Sequence, residues 1–338
     1  MSRMPRIHFA CPRTTEEDIH AVSDTLKKGH LSFGPEVAEF ENALSQMHDN
    51  HTVVAMSSGT SALHAIFLAA LQKKLLHPGD EILIPAFTFA APINMALMAG
   101  LRVRLVDVSP HTFMPTASFY EAARTQHTKA AVIVHIYGTP APMPELLDWA
   151  HHHKLLVIED AAEAFGAKSD GKLVGTFGDF AAFSFQSTKS LSIGEGGAVV
   201  TSHPEYQETL QLLRSHGMGS EKYFHHLLGQ NFRLTSYQAA LGLSKLRRFA
   251  HTSNGLLKLY QQFKGMVEAQ EFPIQFQKAD LKTTRVPWGL PIVLQDSGVR
   301  QRIEREVEAE IQAAFAFAED SPFPEESELF TDVFKGHR

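Results

Sequence analysis

The feature that most constrains this chain is a series of seven short, almost continuously apolar runs between residues 50 and 205. They are Val53–Met56, Ile82–Ile84, Val103–Val106, Ala130–His135, Leu155–Ile158, Ala181–Phe185 and Ala198–Thr201. Each is short for a helix and rich in Val, Ile or Ala. A strand with one wet face alternates apolar and polar residues, whereas a strand covered on both faces has no need to. Between the runs lie segments of helical character. Ser61–Lys74 carries Leu63, Ile66, Phe67 and Ala70 on one face, and Pro144–Lys154 follows the turn cluster Gly138–Pro142. Strand and helix in alternation predict an α/β fold, a mostly parallel seven-stranded sheet between helices.

After Pro204 the pattern changes. Tyr206–His216 and Ser236–Phe249 predict helices, the second running on toward Phe263. Val286–Leu294 reads as an isolated strand and Val299–Phe317 as a helix. A chain of 338 residues also exceeds what one core usually serves, about 250–300 residues. We therefore expect a large domain over residues 1–235, a small α+β domain over 236–318, and an acidic, proline-dotted, poorly ordered tail over 319–338.

Hydrophobic content of 44% and charged content of 20% suit a packed globular protein. A net charge of −6 offers no footprint for nucleic acid and no polybasic patch for a membrane. No apolar run reaches the ~20 residues of a membrane span, and the first residues lack the apolar stretch of a signal peptide. Cys11 is the single cysteine, so no intramolecular disulfide forms. The expectation is a cytoplasmic protein. His151–His153 shows no zinc spacing, so no metal site is expected.

Three segments carry chemistry. In Val53–Leu63 (VVAMSSGTSAL) a strand ends, a Ser-Ser-Gly turn follows and a helix begins. A helix start offers unpaired N–H groups to a phosphate; Ser and Thr also simply cap helices, and the residues alone leave both readings open. In Leu155–Gly166 (LLVIEDAAEAFG) a strand delivers Glu159 and Asp160 at its carboxyl end, where α/β sheets place ligands. Asp160 suits a ring nitrogen there, or a cap on the next turn. In Ala181–Thr201 (AAFSFQSTKSLSIGEGGAVVT) Lys189 lies between two apolar strands, in a loop holding Gly194, Gly196 and Gly197. A desolvated amine there has a depressed pKa; an exposed loop lysine does not. Together, a phosphate cradle, a strand-end aspartate and an inter-strand lysine are the three anchors of pyridoxal phosphate in one large enzyme class.

With these segments, Gly29–Phe40 (GHLSFGPEVAEF), Pro78–Ala90 (PGDEILIPAFTFA), His135–Gly138 (HIYG) and Gly229–Gly242 (GQNFRLTSYQAALG) resemble the DegT-type sugar aminotransferases. That family belongs to the aspartate-aminotransferase fold group, fold type I, and the resemblance covers residues 7–250. It implies a pyridoxal-phosphate enzyme that moves an amino group, from glutamate, to a nucleotide-linked keto sugar. Lys189 is then the Schiff-base lysine and proton shuttle, and Asp160 the partner of the pyridine nitrogen. Gly59, Thr60, Ser61 and Ser184 become phosphate contacts, and Phe89 the ring stacked on the cofactor. Asn231 reaches the phosphate of a neighbouring subunit, which implies a homodimer. Glu195 orients the site.

Two positions depart from the common pattern. Glu163 stands where many relatives carry Gln or His beside the cofactor's ring hydroxyl, and Gln186 stands where His is frequent. The larger departure is beyond Leu294, where the family's return strands and last helix are not visible, implying a shortened small domain. Two rival readings follow. One is a dehydratase of the same fold, in which the lysine is replaced, commonly by His; Lys189 argues against it. The other is a cofactor-binding scaffold or regulator without turnover, suggested by the unusual C-terminal part.

Overall fold

The computed structural model describes residues 12–221, 223–270, 274–294 and 296–320. Cys11 and the expected tail beyond residue 320 lie outside them. Ten α-helices are present among the described residues: α1 (Glu16–Lys27), α2 (Pro35–Met47), α3 (Gly59–Gln72), α4 (Ala90–Met98), α5 (Ala117–Ala123), α6 (Met143–His152), α7 (Gln207–Arg214), α8 (Ser236–Arg247), α9 (Phe249–Glu268) and α10 (Ser297–Asp320). The strands are β1 (Thr52–Met56), β2 (Glu81–Pro85), β3 (Arg102–Val106), β4 (Thr128–Val134), β5 (Leu156–Asp160), β6 (Lys168–Ser169), β7 (Lys172–Leu173), β8 (Phe180–Ser184), β9 (Gly197–Thr201), β10 (Ile274–Phe276), β11 (Thr283–Thr284) and β12 (Ile292–Leu294).

All seven apolar runs become strands of one seven-stranded sheet, in the order β1-β9-β8-β5-β4-β2-β3. The pairs β2–β3, β2–β4, β4–β5 and β5–β8 are parallel, while β9 runs antiparallel to both β1 and β8. The sheet is therefore mostly parallel. Its faces are buried in two separate cores: Val54, Met56 and Ala182 belong to one, and Val53, Ala55, Ala181 and Phe183 to the other. This double burial is why the strands read as unbroken apolar runs. Helix α3 packs in the first core and buries Leu63, Ile66, Phe67 and Ala70.

Contacts divide the described residues into two compact units, the first holding those up to 270 with 276–291 and the second those at 274–275 with those from 292 on. The boundary expected near residue 236 thus falls inside the first unit. There, α8 packs on α1 and α2. Buried Asp18 of α1 accepts hydrogen bonds from Arg248 and, at 2.7 Å, from Ser244 Oγ. The helix expected to run on past Phe249 is broken at Arg248, whose φ of −110° and ψ of 9° separate α8 from α9. The strand expected over 286–294 is shorter: only Ile292–Leu294 is extended and paired. Pro287 and Pro291 lack the amide a ladder needs. The second unit contributes β12 and α10. Among the described residues no helix is long and apolar enough to cross a membrane.

Candidate active site

Parallel strands bring their carboxyl ends to one edge of the sheet, and the antiparallel β9 begins at that same edge, Gly197 standing opposite Met56 and Ser184. A cavity of about 380 Å³ opens there, lined among others by Gly59, Thr60, Asp160, Glu163, Ser184 and Lys189.

Its floor is the start of α3. Ser58 Oγ accepts from the Ser61 N–H at 3.0 Å, and Ser61 Oγ accepts from the Ser58 N–H at 2.9 Å. This reciprocal cap fixes the first turn, whose Gly59 and Thr60 amides have no acceptor within the helix. A Cβ on Gly59 would fall 2.8 Å from Ser184 Cβ, and one on Gly197 would fall 2.3 Å from the Ser58 carbonyl. Only glycine lets the helix start, the end of β8 and the start of β9 meet so closely. Free amides, the helix dipole and the Thr60 and Ser184 hydroxyls in the cavity wall suit an anion. Ser61 does not line the cavity; its hydroxyl is engaged with the Ser58 backbone, also donating to the Ser58 carbonyl at 2.8 Å.

The far wall is acidic. β5 ends in Glu159 and Asp160, which point to opposite faces as strand neighbours must. Glu159 is fully buried and accepts from His135 Nε2 at 2.9 Å and from the amides of Gly175, Phe177 and Gly178 at 2.7–2.8 Å. Burial alone would raise its pKa, but the His135 bond and these amides hold it below the ordinary value. His135 Nδ1 accepts from the Ala141 N–H at 3.0 Å, so the ring proton sits on Nε2, facing Glu159. Asp160 lines the cavity, and its Oδ1 accepts the Ala162 N–H at 3.1 Å. No hydrogen bond reaches Oδ2 from the described residues. Burial pushes its pKa up, against the pull of the Ala162 amide and Lys189.

Lys189 follows β8 in a turn built by Gln186. That side chain's Oε1 accepts from the Thr188 amide and hydroxyl at 2.8 and 2.7 Å, and the Gln186 carbonyl accepts the Lys189 N–H at 2.8 Å. Lys189 Nζ stands 3.7 Å from Glu163 Oε1 and 4.4 Å from the centre of the Trp288 ring. Burial lowers the amine's pKa; Glu163 and Asp160 oppose that shift. Burial raises the pKa of Glu163, opposed by Lys189 and by the Tyr137 N–H, which donates at 2.8 Å.

Phe89 lines the cavity yet is 74% exposed, and Glu195 lies at its exposed rim. Asn231 is exposed and does not line the cavity of its own chain; it bridges to Ser215. Among the wall residues that went unassigned in the sequence are His135, Thr88 and Trp288. His135 carried a signal, a polar residue ending an apolar run within HIYG. Thr88 lies beside Phe89, and its buried hydroxyl has no hydrogen-bond partner within the described residues. Trp288 carried no local signal at all.

This donor set fits pyridoxal phosphate. A helix start with free amides suits the phosphate, a buried carboxylate with an open oxygen suits a ring nitrogen, an amine of lowered pKa suits the aldehyde, and an orphaned hydroxyl is present in the wall.

The chain is similar to known proteins. Over 250 residues the chain is 39% identical to the GDP-perosamine synthase of Caulobacter vibrioides, covering 73% of this chain and 66% of that protein. Over 251 residues it is 37% identical to the UDP-N-acetyl-3-dehydro-alpha-D-glucosamine 3-aminotransferase of Acidithiobacillus ferrooxidans, covering 74% and 66%. The match thus spans about two thirds of these relatives' lengths. The crystal structure of Helicobacter pylori PseC, an aminotransferase involved in the biosynthesis of pseudoaminic acid, superposes with a TM-score of 0.80 at 26% identity, over 86% of this chain and 78% of that one. The family model of the DegT/DnrJ/EryC1/StrS aminotransferases matches residues 12–333, and the chain belongs to that family.

Proposed function

We propose that this chain is a pyridoxal-phosphate-dependent aminotransferase that transfers an amino group, from glutamate, to a nucleotide-linked keto sugar. The observation that carries the reading is one cavity holding a lysine of lowered pKa with the buried carboxylate of Asp160 and the half-buried one of Glu163, opposite a helix start. The names of the two sugar-nucleotide relatives support the substrate class.

When bound, the cofactor supplies a carbonyl for amine exchange and a ring that accepts electrons. The chain's residues do the rest. Gly59 and Thr60, with Ser184, hold the phosphate at the start of α3, and Ser61 supports them as the cap. Asp160 keeps a proton on the ring nitrogen, and that cation in turn favours the charged carboxylate against the upward push of burial. Phe89 would cover the ring, and Glu163 would serve the ring hydroxyl. Lys189 Nζ takes a proton and gives it back; a lowered pKa makes more of the amine available as the neutral base. The residues that would hold the cofactor all lie within 1–235, the span expected of the large domain. Asn231 serves the site of a second copy, so the active unit is a cytoplasmic homodimer.

The test is direct. Purified protein mixed with pyridoxal phosphate should gain a visible absorption band, which glutamate should shift to that of the amine form. Borohydride reduction and peptide mapping should then label Lys189. A label on Lys168 or Lys172 sinks the assignment of the lysine. A band that glutamate does not shift favours the scaffold without turnover, and no band at all removes the cofactor reading.

A further inference from the structure

Tyr137 is a non-glycine residue with a left-handed backbone, φ 56°. Its backbone N–H and carbonyl are both used. The Tyr137 N–H donates to Glu163 Oε2 at 2.8 Å, and the Tyr137 carbonyl accepts the Trp288 N–H at 3.3 Å. One residue on, the Gly138 carbonyl accepts the Val286 N–H at 3.1 Å. A Cβ on Gly138, φ 78°, would fall 1.9 Å from the Val286 carbonyl oxygen, so only glycine permits this approach. The Trp288 indole stacks on the Tyr137 ring, centroids 6.0 Å apart and planes at 22°. Beyond it, Phe113 and Phe87 lie 6.3 and 6.1 Å from Tyr137 and buttress the stack. Glu163 and Trp288, which both approach the Lys189 amine, are thus anchored on the same residue, Tyr137.

They hold an amine differently. Glu163 is a lone-pair donor that exchanges protons with it. The indole face attracts an ammonium through its quadrupole and accepts no proton in return. A flexible four-carbon side chain seated this way gives up its rotamer freedom before the reaction.

We propose that Trp288 is a positioning residue for Lys189: its indole face and Glu163 form a seat that holds the amine whenever it is not joined to a carbonyl. This deepens the proposed function and rests on the reading of Lys189 as the amine that carries the cofactor.

The experiment uses the cofactor-free full chain. Lys189 is modified with trinitrobenzenesulfonate over a range of pH, and its labelling is followed by peptide mapping to give the amine's midpoint. The indole favours the charged amine, so Trp288→Leu should lower the midpoint by roughly half a unit to one unit. Trp288→Phe, which keeps an aromatic face, should restore most of the shift. A folded Trp288→Leu protein with an unmoved midpoint overturns the proposal. A second measurement covers the case in which that variant does not fold. The chain has two tryptophans, so Trp149→Phe leaves Trp288 as the only emitter. Its fluorescence should titrate at the labelling midpoint, and Lys189→Met should abolish that titration. A flat emission profile also overturns the proposal. If both measurements succeed but pyridoxal phosphate gives no visible band, the seat stands and the aminotransferase reading fails.

Discussion

Burial acts on the three charged groups of the cavity in one sense: it drives each toward its neutral form. It lowers the pKa of Lys189 and raises those of Asp160 and Glu163. The attraction between Lys189 and the two carboxylates opposes this, while Asp160 adds to the upward push on Glu163, so each group's charge depends on the others. Asp160→Asn tests one link. The amide is nearly isosteric, so the fold should persist, but a neutral side chain cannot keep a ring nitrogen protonated. Turnover should fall by roughly 100-fold or more, as removal of a preorganised electrostatic contact does. Transamination at near wild-type rate would reduce Asp160 to a turn cap. Glu163→Gln tests another. The carboxylate favours the charged amine, so its loss should move the Lys189 labelling midpoint downward, widening the pH range in which the amine is neutral. A midpoint that rises or stays put would show that Glu163 does not act on Lys189. Lys189 and Asp160 were legible in the sequence because an apolar strand leads straight to each. Trp288 was not, because it meets Lys189 only through the path of the chain past Tyr137. Ser61 shows the limit of such reading: a hydroxyl at a helix start reads equally as ligand contact or cap, and its bonds to Ser58 show the cap.

At the level of elements, the seven strands were readable because each is covered on both faces. Direction was not readable, since Gly197–Thr201 has the same apolar character whichever way it runs. Its antiparallel course brings Gly197 beside the start of α3, and that meeting yields a paired prediction. Gly197→Ala would place a Cβ 2.3 Å from the Ser58 carbonyl and 2.6 Å from the Gly59 nitrogen, both main-chain atoms that cannot swing away. Stability should fall by about 1–3 kcal/mol. Affinity for pyridoxal phosphate should fall about tenfold, since the shifted turn is the proposed phosphate seat. Gly255→Ala, in α9 with nothing within 4 Å, should stabilise slightly, by about 0.5–1 kcal/mol. Thermal melts and cofactor titrations of the two variants read both effects; equal behaviour would show that the α3–β9 contact matters to neither. The break at Arg248 was hidden for a related reason. Helical periodicity continues through it, and what favours the turn there, the buried Asp18 drawing in the guanidinium, comes from the other end of the chain.

At the scale of the molecule, Asn231 sets the sharpest question. The neighbouring Phe232 carbonyl accepts the Ser57 N–H at 2.8 Å, which ties this loop to the end of β1, one residue before the cap of α3. Yet Asn231 itself is exposed and outside the cavity of its own chain. Phe89, Tyr223 and Leu228 are also exposed, at 74%, 87% and 88%, large apolar side chains that association could cover. If a twofold pair shares its sites, each site takes Lys189 from one copy and Asn231 from the other. Asn231→Ala and Lys189→Met should then each be nearly inactive alone. In a hybrid of the two, one site has both residues intact and the other has neither. An equal mixture, unfolded and refolded together, makes half its dimers hybrid, so roughly a quarter of wild-type activity should return. If Asn231 instead served the site of its own chain, neither site of a hybrid would be complete. Mixing would then restore nothing, whatever the sedimentation coefficient. Monomeric sedimentation together with failed complementation would remove the shared-site reading and leave Asn231 as a residue of the loop that holds Ser57.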